Sequence, residues 1–289
     1  MKAKERRLRH MPEHSRSRRA VWFVALLACL FCGLSASVSS EEPAADAALS
    51  AAVCPIVYQL DQTPASRGYR YSFFGNGFFI NEEGYILTVA HVLETFHDGG
   101  QPYILVTRPD SPPQLLRAEV IAVDKEHDVA ILRATPNPFA GKHKVTFLPL
   151  ASDPATLGQH VIALSLHPQK PQNAQSFQAT QEDRSSGEVL SYETTKLENS
   201  APAADVFLLS HPVTLGQSGS PVLAADSQAV VGLVEGRWLR SSGISIAKAS
   251  SRSASVPGAA IPVRYAIDLL KRQSISWHAH PPQSAAVAR

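Results

Sequence analysis

Eleven short β-prone segments, separated by turn signals, set the first limit on how this chain can fold. Six come first: Ile56–Tyr58, Phe74–Ile80, Ile86–Ala90, Tyr103–Val106, Arg117–Val123 and Val129–Arg133. Five follow: Val161–Leu166, Gly187–Tyr192, Val206–Ser210, Val222–Ala224 and Ala229–Val234. Many short strands with frequent turns predict an all-β sandwich or barrel. Residues 136–158 connect the two sets. Pro168–Ser186 is polar, Gln-rich and without apolar period, so it reads as a surface loop. Arg237–Pro257 is Ser-rich and reads the same way. Val263, Ala266, Ile267 and Leu270 recur at helical spacing and predict a helix over 263–273.

The 289 residues suffice for one or two domains with a sizeable core. Residues 1–20 hold eight Lys/Arg against Glu5 and Glu13, whereas the whole chain is only +2, so residues 41–289 are net acidic. That distribution argues against nucleic acid as a partner, which would need a basic face on the folded part. Behind the basic start, Ala20–Leu34 is apolar and Ser35–Ser40 is small-residue rich, the anatomy of a secretory signal over residues 1–40. The uncharged stretch 20–38 is also long enough to act as an uncleaved membrane tether. Either way the chain is exported, to the periplasm or beyond. Residues 41–53 read as an Ala/Ser/acid-rich linker, 54–273 as the folded domain and 274–289 as a tail. Cys29 and Cys32 lie in the apolar leader, which leaves Cys54 without an intrachain partner if the leader is removed.

Chemistry concentrates in Gly216-Gln217-Ser218-Gly219-Ser220-Pro221. Glycines on both sides of a serine allow a sharp turn that exposes the hydroxyl beside converging backbone N–H groups. Upstream, Asn81-Glu82-Glu83-Gly84 is a turn signal between β-prone runs, and the resulting hairpin delivers His91 at the end of a buried strand. Asp128 directly precedes the apolar run Val129–Leu132, at the mouth of a second core strand, where it can orient a histidine. Asp124 competes for that role but reads as a turn residue. His127 reads as a surface residue, because its neighbouring position faces the other way. Ser220 reads as a tolerated small residue.

In the order His91, Asp128, Ser218, the chain resembles the trypsin-like serine peptidases, and within them the bacterial HtrA/Deg-type branch. The pieces that carry the resemblance are G-N-G-F-F-I (75–80), T-V-A-H-V (88–92), H-D-V-A-I-L (127–132), G-E-V-L-S (187–191), G-Q-S-G-S-P (216–221), A-V-V-G-L-V (229–234) and A-A-I-P-V (259–263). The resemblance implies two packed six-stranded β-barrels and a C-terminal helix. It implies a cleft between the barrels with Ser218 as nucleophile, His91 as base and Asp128 as the orienting acid. The N–H groups of Gly216 and Ser218 would hold the oxyanion. A polypeptide substrate is implied, and no metal or organic cofactor. Pro212 stands six residues before Ser218, where trypsins carry an acidic pocket base, so small or medium apolar side chains are expected there. Glu235 stands where the substrate-pairing strand begins and a small or amide residue is usual. Gln217, Ser220 and Ser210 also depart from the pattern. No PDZ module is expected after the helix, nor activation by a newly cut N-terminus. The alternative from another class is a catalytically silent trypsin-fold binding protein, and an esterase with the same triad is a third.

Overall fold

The structure is a computed structural model that describes residues 48–60, 70–94, 100–108, 111–140, 146–169, 177, 179–197, 203–238 and 256–280. The leader, most of the linker and residues 239–255 of the Ser-rich segment lie outside them. β1 (Val53–Leu60), β2 (Arg70–Phe79) and β3 (Tyr85–Thr88) lead to a single helical turn, α1 (His91–Glu94). β4 (Pro102–Arg108), β5 (Ser111–Asp124) and β6 (Val129–Thr135) follow. These strands close into a barrel in the order β1-β2-β3-β6-β5-β4, every neighbouring pair antiparallel.

The β2–β3 turn is built by Asn81. Its Oδ1 accepts from the N–H groups of Glu83 and Tyr85, and its Nδ2 donates to the Ser276 carbonyl. This is the local side-chain bonding that makes asparagine a turn former. Val129–Leu132 is apolar without alternation because β6 is covered on both faces. One face lines the barrel and the other meets α2 (Val263–Arg272).

The second half contains β7 (Leu150–Ala151), β8 (His160–Gln169), β9 (Ala179–Thr195), β10 (Ala204–Leu209), β11 (Pro221–Ala224), β12 (Val230–Arg237), β13 (Gly258–Pro262) and β14 (Ala279–His280). β11-β8-β9-β10-β13-β12 run side by side, and β11 also pairs with β12, so these six close on themselves. The fold is therefore the expected pair of six-stranded barrels with a C-terminal helix. Apolar residues of the second barrel, among them Leu164, Leu166, Leu223, Leu233 and Ile261, pack in one cluster with the first barrel. Phe207, Val222, Val231 and Val234 belong to a separate interior.

Three expectations are corrected. Pro168–Ser186 is not simply a surface loop: β8 runs to Gln169 and β9 begins at Ala179, paired from Gln169↔Ala179 to His160↔Glu188. The β9 arm is largely open on both faces, so its strand carries no apolar alternation to read. The linker is helical over 48–52, with Leu49 and Ala52 buried, and β1 starts at Val53. The described part of the tail, 274–280, is tied down, because β14 pairs in parallel with β7 and the Leu150 N–H donates to the His278 carbonyl. Cys54 is a buried free thiol whose pKa burial pushes up.

His211, just past β10, is buried, and its ring nitrogens have no hydrogen-bond partner among the described residues. Desolvation lowers its pKa below the ordinary 6.5. Its neutral form therefore supports the fold above that value, and the support is lost as pH falls through the lowered folded-state pKa. The urea midpoint should fall between pH 7 and pH 5, and the fall should be smaller in His211→Leu. An equal fall in both proteins would contradict this account.

Candidate active site

β3 ends at Thr88, and the buried pair Val89-Ala90 carries the chain to His91 at the start of α1. Asp128 closes the β5–β6 turn with φ +53, a left-handed conformation that aspartate tolerates better than most residues. Its two carboxylate oxygens grip one residue. Oδ1 accepts the His91 backbone N–H at 2.8 Å, and Oδ2 lies 2.7 Å from His91 Nδ1. A carboxylate on Nδ1 fixes the ring's orientation and makes Nε2 the nitrogen for proton exchange. Asp128 is buried, whereas the His91 side chain keeps 40% of its surface exposed.

Burial pushes the His91 imidazole down, but opposing effects outweigh it and raise its pKa to about 9. They are the charge and hydrogen bond of Asp128 and the charges of Glu235 and Glu94. Glu94 is itself paired with Lys125 at 2.9 Å.

The serine turn lies between β10 and β11. Gly216 has φ +92 and Gly219 has φ +80. A Cβ on Gly219 would stand 2.1 Å from the Asn76 carbonyl oxygen, and one on Gly216 would stand 2.5 Å from the Phe73 ring. Both positions thus demand glycine by conformation and by space. Among the described residues, the N–H groups of Gly216 and Ser218 have no backbone acceptor, while those of Gln217, Gly219 and Ser220 do. Ser218 Oγ donates to the Glu235 carbonyl at 3.1 Å.

Asn76 joins this turn to the first barrel. It is fully buried in β2. Its N–H donates to the Ser218 carbonyl at 2.8 Å and its Nδ2 to the Gly216 carbonyl at 2.8 Å. Its Oδ1 accepts the Leu166 N–H at 3.1 Å, and its own carbonyl accepts Thr88 Oγ1 at 2.7 Å. Gly75, its neighbour, sits between the Ser218 carbonyl and Val92, the residue after His91. The serine turn and the histidine turn are therefore adjacent.

Residues 75–233, more than half of the chain, match the trypsin-like peptidase domain. The chain belongs to that family. A "Probable periplasmic serine endoprotease DegP-like" of Halomonas elongata is 38% identical over 77 residues, 26% of this chain and 15% of that protein. Among solved structures, the fold is similar to an HtrA-type protease, AlgW with decapeptide. That likeness has a TM-score of 0.53 at 17% identity and covers 77% of this chain and 64% of that one. The Rv3671c protease from M. tuberculosis in its active form gives 0.52 at 20% identity, covering 83% and 86%. The MamO protease domain from Magnetospirillum magneticum gives 0.51 at 16% identity, covering 77% and 97%.

Within this trypsin-like peptidase fold, the competing residues are engaged elsewhere. Asp124 Oδ1 accepts the His127 N–H, and its Oδ2 pairs with Arg272 of α2. His127 is not a bare surface residue, since its ring stacks on Tyr265 at 4.2 Å. Ser220, by contrast, is fully buried and its hydroxyl has no hydrogen-bond partner among the described residues. Ser210 Oγ accepts the Glu188 N–H. Pro212 is exposed. Glu235 is only 7% exposed and lies at a register shift of β12 against β13. Asn76 received no role from the sequence, although a polar residue between Gly75 and Gly77 was a signal that could have found it. Each buried group left unpaired costs about 1–3 kcal/mol, so Asn76→Ala should lower stability by roughly 2–4 kcal/mol in urea unfolding. A loss under about 1 kcal/mol would contradict the clasp.

Proposed function

We propose that this trypsin-like peptidase chain is an exported serine endopeptidase that hydrolyses polypeptides through an acyl-enzyme. The observation that carries the reading is the two-point hydrogen bond of Asp128 to His91, beside a serine turn with two N–H groups that have no backbone acceptor among the described residues. Ser218 Oγ attacks the scissile carbonyl. His91 Nε2 takes its proton and returns it to the leaving amine. Asp128 orients the ring and stabilises its charged form. The N–H groups of Gly216 and Ser218 receive the developing oxyanion. The domain takes in 54–273 together with the helix at 48–52, Val53 and the segment to β14 at Ala279–His280. Pro212 offers no charge to the substrate pocket, which accordingly takes small or medium apolar side chains, while Glu235 adds a carboxylate at the pocket's edge.

Export is supported by the leader at 1–40 and by the periplasmic description of the DegP-like relative. Residues 20–38 would tether the chain if the leader is not cut. Among the described residues, no helix is long and apolar enough to cross a membrane.

Labelling by a serine-reactive fluorophosphonate tests the reading. Ser218→Ala should abolish both labelling and peptide cleavage and keep the fold. Folded wild-type protein that takes no label would instead favour the silent binding protein.

Base catalysis needs neutral His91. With its pKa near 9, only about one ring in a hundred is neutral at pH 7. The value of kcat/KM should therefore climb through neutral pH and level off above about pH 9. Glu235→Gln removes a negative charge from the ring's surroundings and should move that climb to lower pH. A profile that levels off near pH 7 in the wild type would contradict the electrostatics described.

A further inference from the structure

Gln217, which the motif comparison marks as off-pattern, is only 1% exposed and fully engaged. Its Oε1 accepts the Thr214 N–H at 2.6 Å. Its Nε2 donates to Asp183 Oδ2 at 3.1 Å and approaches Ser165 Oγ at 3.4 Å. Its backbone N–H donates to the Thr214 carbonyl at 3.2 Å, and its carbonyl accepts the Ser220 N–H at 3.0 Å. Side chain and backbone thus close the same short turn, and Gly216 and Ser218 present their N–H groups from within it.

The outer end of this arrangement is the β8–β9 hairpin. Ser165 and Asp183 are cross-strand partners, and Ser165 Oγ donates to the Asp183 carbonyl at 3.2 Å. His167, two residues along β8, brings Nε2 to 3.7 Å from Asp183 Oδ2 and sets its ring edge-on to Phe73. Phe73 and His167 are the two side chains that a Cβ on Gly216 would meet. The hairpin therefore reaches the turn twice: from Asp183 through the Gln217 amide, and from His167 against Gly216. An N–H to carboxylate bond is stronger than one between neutral groups, and the carboxylate fixes which way the amide points. With Nε2 held by Asp183, Oε1 faces Thr214, and the turn is closed.

We propose that Asp183 is a positioning residue for this enzyme, holding the oxyanion-binding turn in place through Gln217, so that the acylation rate is set partly from the β8–β9 hairpin. The proposal rests on the peptidase reading above. Asp183 is held by Gln217, Ser165 and His167, and because it acts through Gln217, its loss should appear in kcat and not in KM. An asparagine at 183 keeps an acceptor oxygen for the Gln217 N–H and should restore most of the rate.

The test compares the full chain with Asp183→Ala and Asp183→Asn, using a p-nitrophenyl ester, fluorophosphonate labelling, thermal unfolding and the backbone amide resonances of Gly216 and Ser218. Losing an oxyanion donor outright costs about 10²–10³ in kcat, so a loosened turn in Asp183→Ala should cost about tenfold. KM should stay within about twofold, and Asp183→Asn should remain within about threefold of wild type. Unchanged kcat in Asp183→Ala, a loss confined to KM, or equal damage in both variants would overturn the proposal. If the wild type neither labels nor turns over ester, the peptidase reading falls and the amide resonances decide the clamp. They should shift in Asp183→Ala and hold in Asp183→Asn, and resonances unmoved in Asp183→Ala would overturn it.

Discussion

The carboxamide of Asn76 ties the serine turn to the barrel that carries the histidine. Buried amides are costly unless every donor and acceptor is used. Here the backbone N–H goes to Ser218, Nδ2 to Gly216 and Oδ1 to Leu166. The Asn76 carbonyl is used as well, by Thr88 at the end of the strand that leads to His91. One residue thus spans the two barrels at the point where the proposed nucleophile and base must meet. The glycines follow from this contact, since Gly219 lies so close to the Asn76 carbonyl that any Cβ would collide with it. The apolar interface gives the barrels adhesion, and Asn76 gives them register.

The second constraint is electrostatic. Asp128 is buried and holds His91 at two points, which fixes the ring's orientation. Glu235 adds a further buried carboxylate from the other barrel, and its main-chain oxygen accepts from Ser218 Oγ. The same residue thus acts on both members of the proposed Ser–His pair, on one by charge and on the other by a hydrogen bond. A ring held by Asp128 alone would feel one strong anionic neighbour. This ring feels the Glu235 and Glu94 charges as well and keeps its proton to higher pH. The protein is accordingly biased toward the charged histidine, a state that suits the second half of each proton transfer better than the first.

Much of this was legible in the sequence, for identifiable reasons. The barrels could be read because strands with a core face show alternation or buried runs, and turns such as Asn81–Gly84 carry their own chemistry. His91 and Asp128 could be read as neighbours because each stands at the end of a core strand, and β3 and β6 pair directly. Asn76 could be seen only in part, because the partners of its side chain lie 90 and 140 residues away and nothing local announces them. The β9 arm was missed because a ribbon open on both faces lacks the burial that writes a pattern into sequence. Asp124 was read as a turn residue but is the last residue of β5, paired with Val129 across the turn, and its pairing with Arg272 on α2 depends on tertiary placement. The placement of 279–280 has the same origin, since β14 is two residues long and is fixed by β7.

The central claim is that the Asn76-anchored turn presents Ser218 Oγ and two N–H groups to one reacting centre. A crystal structure of the chain after reaction with a peptidyl diphenyl phosphonate tests it most directly. The account predicts phosphorus bonded to Ser218 Oγ, with the phosphonyl oxygen within hydrogen-bond distance of the Gly216 and Ser218 nitrogens and Asn76 unmoved. An adduct on another residue, or a Ser218 adduct whose phosphonyl oxygen points away from those nitrogens, would contradict it.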